Sequence, residues 1–216
     1  MESNVISIIV GAHKSTTFSI HESMAKAHSE FLAAALRNGW TEAEERTVKL
    51  PEDDVEAFRI FARFLYTGRI FSSKEGDYTK HDTYLADLEW TRLAVAWVLG
   101  DKLGAVAFKD AVVDAIIDKL KTGRGYPLYM HKRVYPHSTG SCPIRRLAVD
   151  IAAWKWSQKE ISSADMGGWE EFFRDVATRL KSLSEGEIKR AAPYLAGNCD
   201  YHEHGPGKPC YRTMFG

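Results

Sequence analysis

The sequence predicts an α+β fold in which a small β-sheet is capped by α-helices and followed by an α-helical extension. Three observations predict it. Alternating apolar residues in "VISIIV" and "TTFSIH" mark strands near the amino terminus. From Val55 onward the apolar residues recur at helical spacing. Between Thr122 and Pro143 that spacing lapses among Gly, Pro and Tyr, and it resumes from Ile144.

In the first strand Ile6, Ile8 and Val10 share one side, and the run stops at Gly11 with "TTFSIH" as its hairpin partner. Past His21 the pattern turns helical. It breaks near Ser29, which is placed to cap a second helix carrying Phe31, Leu32, Ala35 and Leu36, ended by Asn38 and Gly39. "RTVKLP" is a short strand with Val48 and Leu50 facing inward. Asp53 and Glu56 have capping-box spacing and open a helix whose stripe is Val55, Phe58, Phe61 or Ala62, and Leu65. Gly68 is expected to close that helix in the left-handed conformation, with the Tyr66 ring buried and its hydroxyl bonded.

Ser72 to Asp82 is polar and reads as a surface loop. Two helices jointed around Gly104 come next as a hairpin, the second with Phe108, Ala111, Val112, Ala115 and Ile116 on one face. Two more helices are expected at Ile144 to Ser157 and Trp169 to Leu183. The chain accordingly divides into residues 1–121, a linker at 122–143, a helical extension at 144–196 and a Cys/His-containing tail at 197–216.

Composition narrows the function. Lys+Arg and Asp+Glu both number 29, so no global field draws the chain to nucleic acid or to an anionic membrane. No basic segment precedes a signal-length apolar stretch, and Asp101 and Lys102 interrupt the longest hydrophobic helix, which makes a cytoplasmic or nuclear protein the expectation. Cys142, Cys199 and Cys210 are too few and too far apart for a disulfide scaffold. No nucleophile elbow, phosphate-cradling loop or His-Glu metalloprotease spacing occurs, so neither an enzyme nor a small-molecule substrate is expected. His21 reads as a structural hydrogen-bonding residue.

Two other constellations carry chemistry. Cys199, His202, His204 and Cys210 in "CDYHEHGPGKPC" are the ligand set of a closed structural zinc site, with Gly205 to Pro209 forming the turn that returns Cys210. The spacing matches no standard finger; a disordered tail or a Cys199–Cys210 disulfide is the competing account. Lys119, Lys121, Arg124, Lys132, Arg133, Arg145 and Arg146 run without an intervening acid among Tyr126, Tyr129 and Tyr135, a pattern for single-stranded nucleic acid or, more plainly, for a solvated linker.

The blocks "FSIHESMAKAHSEFLAAAL", "VKLPEDDVEAFRIFARFLYTGRI" and "VLGDKLGAVAFKDAVVDAI", in that order, resemble the BTB/POZ fold over roughly the first 120 residues. "CPIRRLAVDIAAWKWS", with the Trp/Phe helix and the Cys/His tail beyond it, resembles the extension of many fungal BTB-domain proteins. The resemblance implies a module that binds proteins, forms homodimers, or serves as a substrate adaptor for cullin-based ubiquitin ligases. Cullin-binding members carry a hydrophobic-x-Glu element before the third strand, and Trp40-Thr41-Glu42 stands there. Trp40 and Glu42 are thus the implied partner-binding residues. The chain departs from the animal pattern at Ser3 and Asn4, where an Asp opens the first strand, and at Glu22, where a basic residue comes after the His. Those positions belong to the family's homodimer interface. The remaining alternatives are a self-associating scaffold and a nucleic-acid-linked transcriptional regulator using the basic linker.

Overall fold

A computed structural model describes residues 4–37, 41–74, 83–123, 125–163, 169–183, 186, 190–205 and 207–215. Its elements are β1 (Val5–Val10), β2 (Thr16–His21), α1 (Glu22–His28), α2 (Glu30–Ala35), α3 (Thr41–Glu45), β3 (Thr47–Leu50), α4 (Val55–Thr67), α5 (Thr83–Lys102) and α6 (Val106–Lys121). Beyond these lie α7 (Met130–Val134), α8 (Pro143–Lys155), α9 (Gln158–Ser163), α10 (Glu170–Ser182) and short 3-10 turns.

The sheet has the order β2-β1-β3, with β1 antiparallel to β2 and parallel to β3. Ile8 lies opposite Phe18 on one side and Val48 on the other. As the alternation requires, Ile6, Ile8, Val10, Val48 and Leu50 are all buried. The parallel pair needs a crossover, and α1 to α3 supply it.

Ser29 joins two helical parts of the chain. Its Oγ accepts from the Leu32 amide at 3.1 Å and donates to the Leu103 carbonyl at 2.7 Å, so one side chain caps α2 and ties it to the α5–α6 joint. Gly104 turns that joint at φ +60, and a Cβ there would meet the Glu30 Cβ at 3.0 Å.

Helix α4 buries Phe58, Phe61 and Leu65 as its stripe predicts, together with Ala57, Ile60 and Phe64. Its cap differs from the expectation by one residue: Asp54 Oδ1 accepts from the Ala57 amide at 2.8 Å. Asp53 instead pairs with Lys102 at 2.7 Å, and Glu56 turns to Lys74 and Arg59, so no capping box forms. Gly68 closes the helix at φ +64. The Tyr66 ring is exposed, because one residue past Leu65 is a rotation of about 100° off the buried stripe. Its hydroxyl still finds a partner: the His21 amide donates to it at 3.0 Å and His21 Nδ1 lies at the same distance. His21 therefore has the hydrogen-bonding role expected of it.

The segment 122–143 is more structured than its irregular composition suggested. Met130, His131, Val134 and Tyr135 are buried, and α7 packs on α5 and α8. His131 stacks flat on Phe172, centroids 4.2 Å apart, with Trp156, Trp169 and Phe173 around it. Helices α8 and α10 match their expected ranges, and the buried side chains from β1 to Tyr201 form one continuous core. Of the loop expected at Ser72 to Asp82, Ser72 to Lys74 are described, and Ser72 is buried with its hydroxyl on Glu89 at 2.8 Å. Asn38 and Gly39, expected to end the second helix, lie outside the described residues. Among the described residues no helix is long and apolar enough to cross a membrane.

Candidate metal centre and interaction surface

The tail is built against α6 by carboxylates spaced one helical turn apart. Asp110 Oδ1 accepts from the Glu203 amide at 2.6 Å. Asp114 takes more partners: His202 Nε2 at 3.1 Å, the Tyr211 hydroxyl at 2.5 Å, and Arg212 through Nε at 2.8 Å and Nη2 at 2.6 Å. Burial works to raise the Asp114 carboxyl, but the hydrogen bonds from His202, Arg212 and Tyr211 override it and hold the group well below the usual carboxylate range. Asp110 has fewer donors, and burial leaves it raised.

The same tail grips the extension. The Tyr201 hydroxyl donates to Asp150 Oδ2 at 2.5 Å on α8, whose other oxygen takes Arg179 of α10 at 2.6 Å. Arg146 donates to the Asp200 carbonyl at 2.6 Å. Farther on, Phe215 lies against Phe64 and His28, over Gly68, where any Cβ would meet it at 2.3 Å. Gly68 thus serves twice, for the left-handed turn and for the ring that covers it.

Between these anchors the structure brings together all four residues of the Cys/His set. One ligand atom from each of Cys199, His202, His204 and Cys210 lies within 4.8 Å of all the others. A turn from the Cys199 carbonyl to the His202 amide, 3.0 Å, brings the first pair round. A second turn, Gly205 carbonyl to Lys208 amide at 3.1 Å with Gly207 at φ +78, returns Cys210. All three cysteines are free thiols here.

Of the two residues that the resemblance implies for partner binding, one is described. Trp40 lies outside the described residues; Glu42 is in α3, partly exposed, beside exposed Glu44 and Glu45. Glu22, at the departure from the animal pattern, pairs with Lys26 at 2.5 Å and Arg46 at 3.0 Å. Asn4 is exposed, and its carbonyl accepts from the Glu22 amide at 2.8 Å.

Two residues of the basic run are consumed by the fold. Lys119 is buried against Glu89. Arg145 is buried too, donating to Glu171 at 2.5 Å and to the Tyr135 carbonyl at 2.9 Å. Arg146 and Arg145 line a groove of about 890 Å³ between α8 and α10, where Asp150 and Asp175 alternate with them. Mixed charge of this kind does not make a track for a phosphate backbone. Sequence reasoning missed Asp110, Asp114 and Asp150 as the tail's anchors, because their partners lie far along the chain and no local pattern marks them.

The family model for the BTB/POZ domain matches residues 6–89, from β1 into α5. No curated protein matches the chain. The matched span contains the β2-β1-β3 sheet, the α1–α2 pair and the Gly68-capped helix α4, and the helical hairpin continues directly from it. The chain therefore carries a BTB/POZ domain, a module for protein–protein interaction.

Proposed function

We propose that the chain is an adaptor that binds the amino-terminal domain of a cullin through Trp40 and Glu42 and leaves its helical extension for a second partner. The observation that supports this reading is the exposure of α3. Glu44 and Glu45 are exposed and Glu42 partly so, immediately before β3, where the hydrophobic-x-Glu element of cullin-binding relatives stands. The physical division of labour is simple: the indole fills an apolar pocket on the partner while the carboxylate fixes the register. Buried aromatic anchors dominate interface energetics, so Trp40 carries most of the affinity and the rim carboxylates tune the rate of encounter.

The test is size exclusion with light scattering on the full chain, alone and mixed with a cullin amino-terminal domain. The expected result is a co-eluting complex that Trp40→Ala weakens by a factor on the order of 30 or more, as loss of a hot-spot residue does. Glu42→Lys should slow association most at low salt. Absence of a complex, or a complex indifferent to Trp40→Ala, would overturn the reading. A mass that rises with concentration while no cullin complex forms would assign the module to a self-associating scaffold instead.

A further inference from the structure

We infer that Cys199, His202, His204 and Cys210 bind one zinc ion in a closed, structural site that clamps the carboxy-terminal tail onto helix α6. The four ligand atoms already lie within 4.8 Å of one another. Tetrahedral zinc with Zn–S near 2.3 Å and Zn–N near 2.0 Å places its ligand atoms roughly 3.3–3.8 Å apart, so small side-chain adjustments complete the sphere. One edge is already in that range: Cys210 Sγ is 3.6 Å from His202 Nδ1.

The hydrogen bonding decides which nitrogen faces the ion. Asp114 is a carboxylate and only accepts, so His202 Nε2, 3.1 Å away, carries the proton and donates to it. That leaves the Nδ1 lone pair directed at Cys210. A histidine whose far nitrogen is held by a carboxylate is the arrangement in which metal-binding imidazoles are oriented and made more basic. Asp114 is thus a positioning residue, itself fixed by Tyr211 and Arg212.

His204 supplies an independent argument. Both of its ring nitrogens are buried and neither has a hydrogen-bond partner. A neutral imidazole left so forfeits a donor and an acceptor at once, a loss that buried polar groups seldom sustain. A metal bond satisfies one nitrogen outright. Asp110 Oδ2, one turn from Asp114 on α6, is also buried and without a hydrogen-bond partner.

Two thiolates and two imidazoles select zinc over magnesium or calcium, which take oxygen ligands. On binding, the two thiols release their protons, and the thiolates offset the charge of the ion. Four protein ligands leave no open coordination position, so the ion serves structure and not catalysis.

The full chain, purified without chelator, should hold one equivalent of zinc. Replacing it with cobalt should give the intense visible bands of a tetrahedral ion and a thiolate-to-cobalt charge-transfer band. Cys199 and Cys210 should resist a thiol reagent until zinc is removed, while Cys142 reacts regardless. Chelation should accelerate proteolysis between Gly197 and Phe215. Asp114→Asn should lower zinc affinity by a factor of about 10–100 with all four ligands in place. The Cys210→Ser variant, left with the Cys199 thiolate alone, should show a weakened charge-transfer band even where it folds less well, and the wild-type measurements do not depend on it. A Cys199–Cys210 disulfide in the purified chain, or zinc far below one equivalent with no tetrahedral cobalt spectrum, would overturn the inference. Neither outcome bears on cullin binding, which is read from a separate surface.

Discussion

His131 is sealed among four aromatic rings, and that placement makes the residue sensitive to acid. Burial, with the positive charge of Lys132 beside it, pushes the imidazole down to about 4, a hydrogen bond at Leu128 opposing only in part. In the unfolded chain the same group titrates near about 6.5. Between those values the unfolded state binds a proton that the folded state refuses, so stability falls as pH falls through this window and is full above it. The loss from this residue amounts to about 2 kcal/mol by pH 5 and about 3 kcal/mol by pH 4. His131→Phe should remove that slope whatever its stability at neutral pH, because a phenyl ring keeps the stack and cannot titrate. Urea midpoints at pH 7.5 and 5 for both chains check it; parallel pH dependence in the two would show that other groups carry the acid response.

At the scale of elements, α5 and α6 are joined inside the protein by the Lys119–Glu89 pair, both side chains under a tenth exposed. Ser72 donates to the same carboxylate at 2.8 Å, and the Lys119 ammonium also sits over the Trp90 ring. Breaking one partner leaves the other charge buried, a loss of about 3–5 kcal/mol, whereas replacing both with apolar residues of similar size costs far less. Lys119→Met should therefore destabilise the chain more than Lys119→Met combined with Glu89→Leu, a comparison that a double-mutant cycle by denaturant unfolding makes directly. Here the limits of the sequence are plain. Lys119 stood in a basic run that invited a surface reading, and only the packing of α5 against α6 reveals its acid. The longer elements were legible because their apolar spacing is their cause of folding: β1, β3, α4, α6, α8 and α10 fall where the pattern put them. Helix α7 was not, since five residues make too little of a period. The four Cys/His residues stood out by residue type, but the docking of the tail that carries them involves Asp110 and Asp114, which no spacing in the tail announces.

On the scale of the whole molecule, the BTB/POZ domain and the helices beyond it share one core, and the tail is bonded to both. Such continuity couples the parts. Thermal unfolding should show one transition, with far-UV and near-UV circular dichroism superimposable; two separated steps would mean that the extension unfolds by itself. The strand pairing adds a consequence in time. β1 meets β2 through a short hairpin but must wait for β3, on the far side of three helices, before its second edge is covered. A chain emerging from the ribosome exposes that edge in the interval, a state in which sheets recruit the wrong neighbour. Asp110 and Asp114 wait longer still, remaining in water until the tail arrives. Docking of the tail therefore follows the folding of α6, and a chain whose tail has not yet docked leaves an unpaired acidic face on that helix.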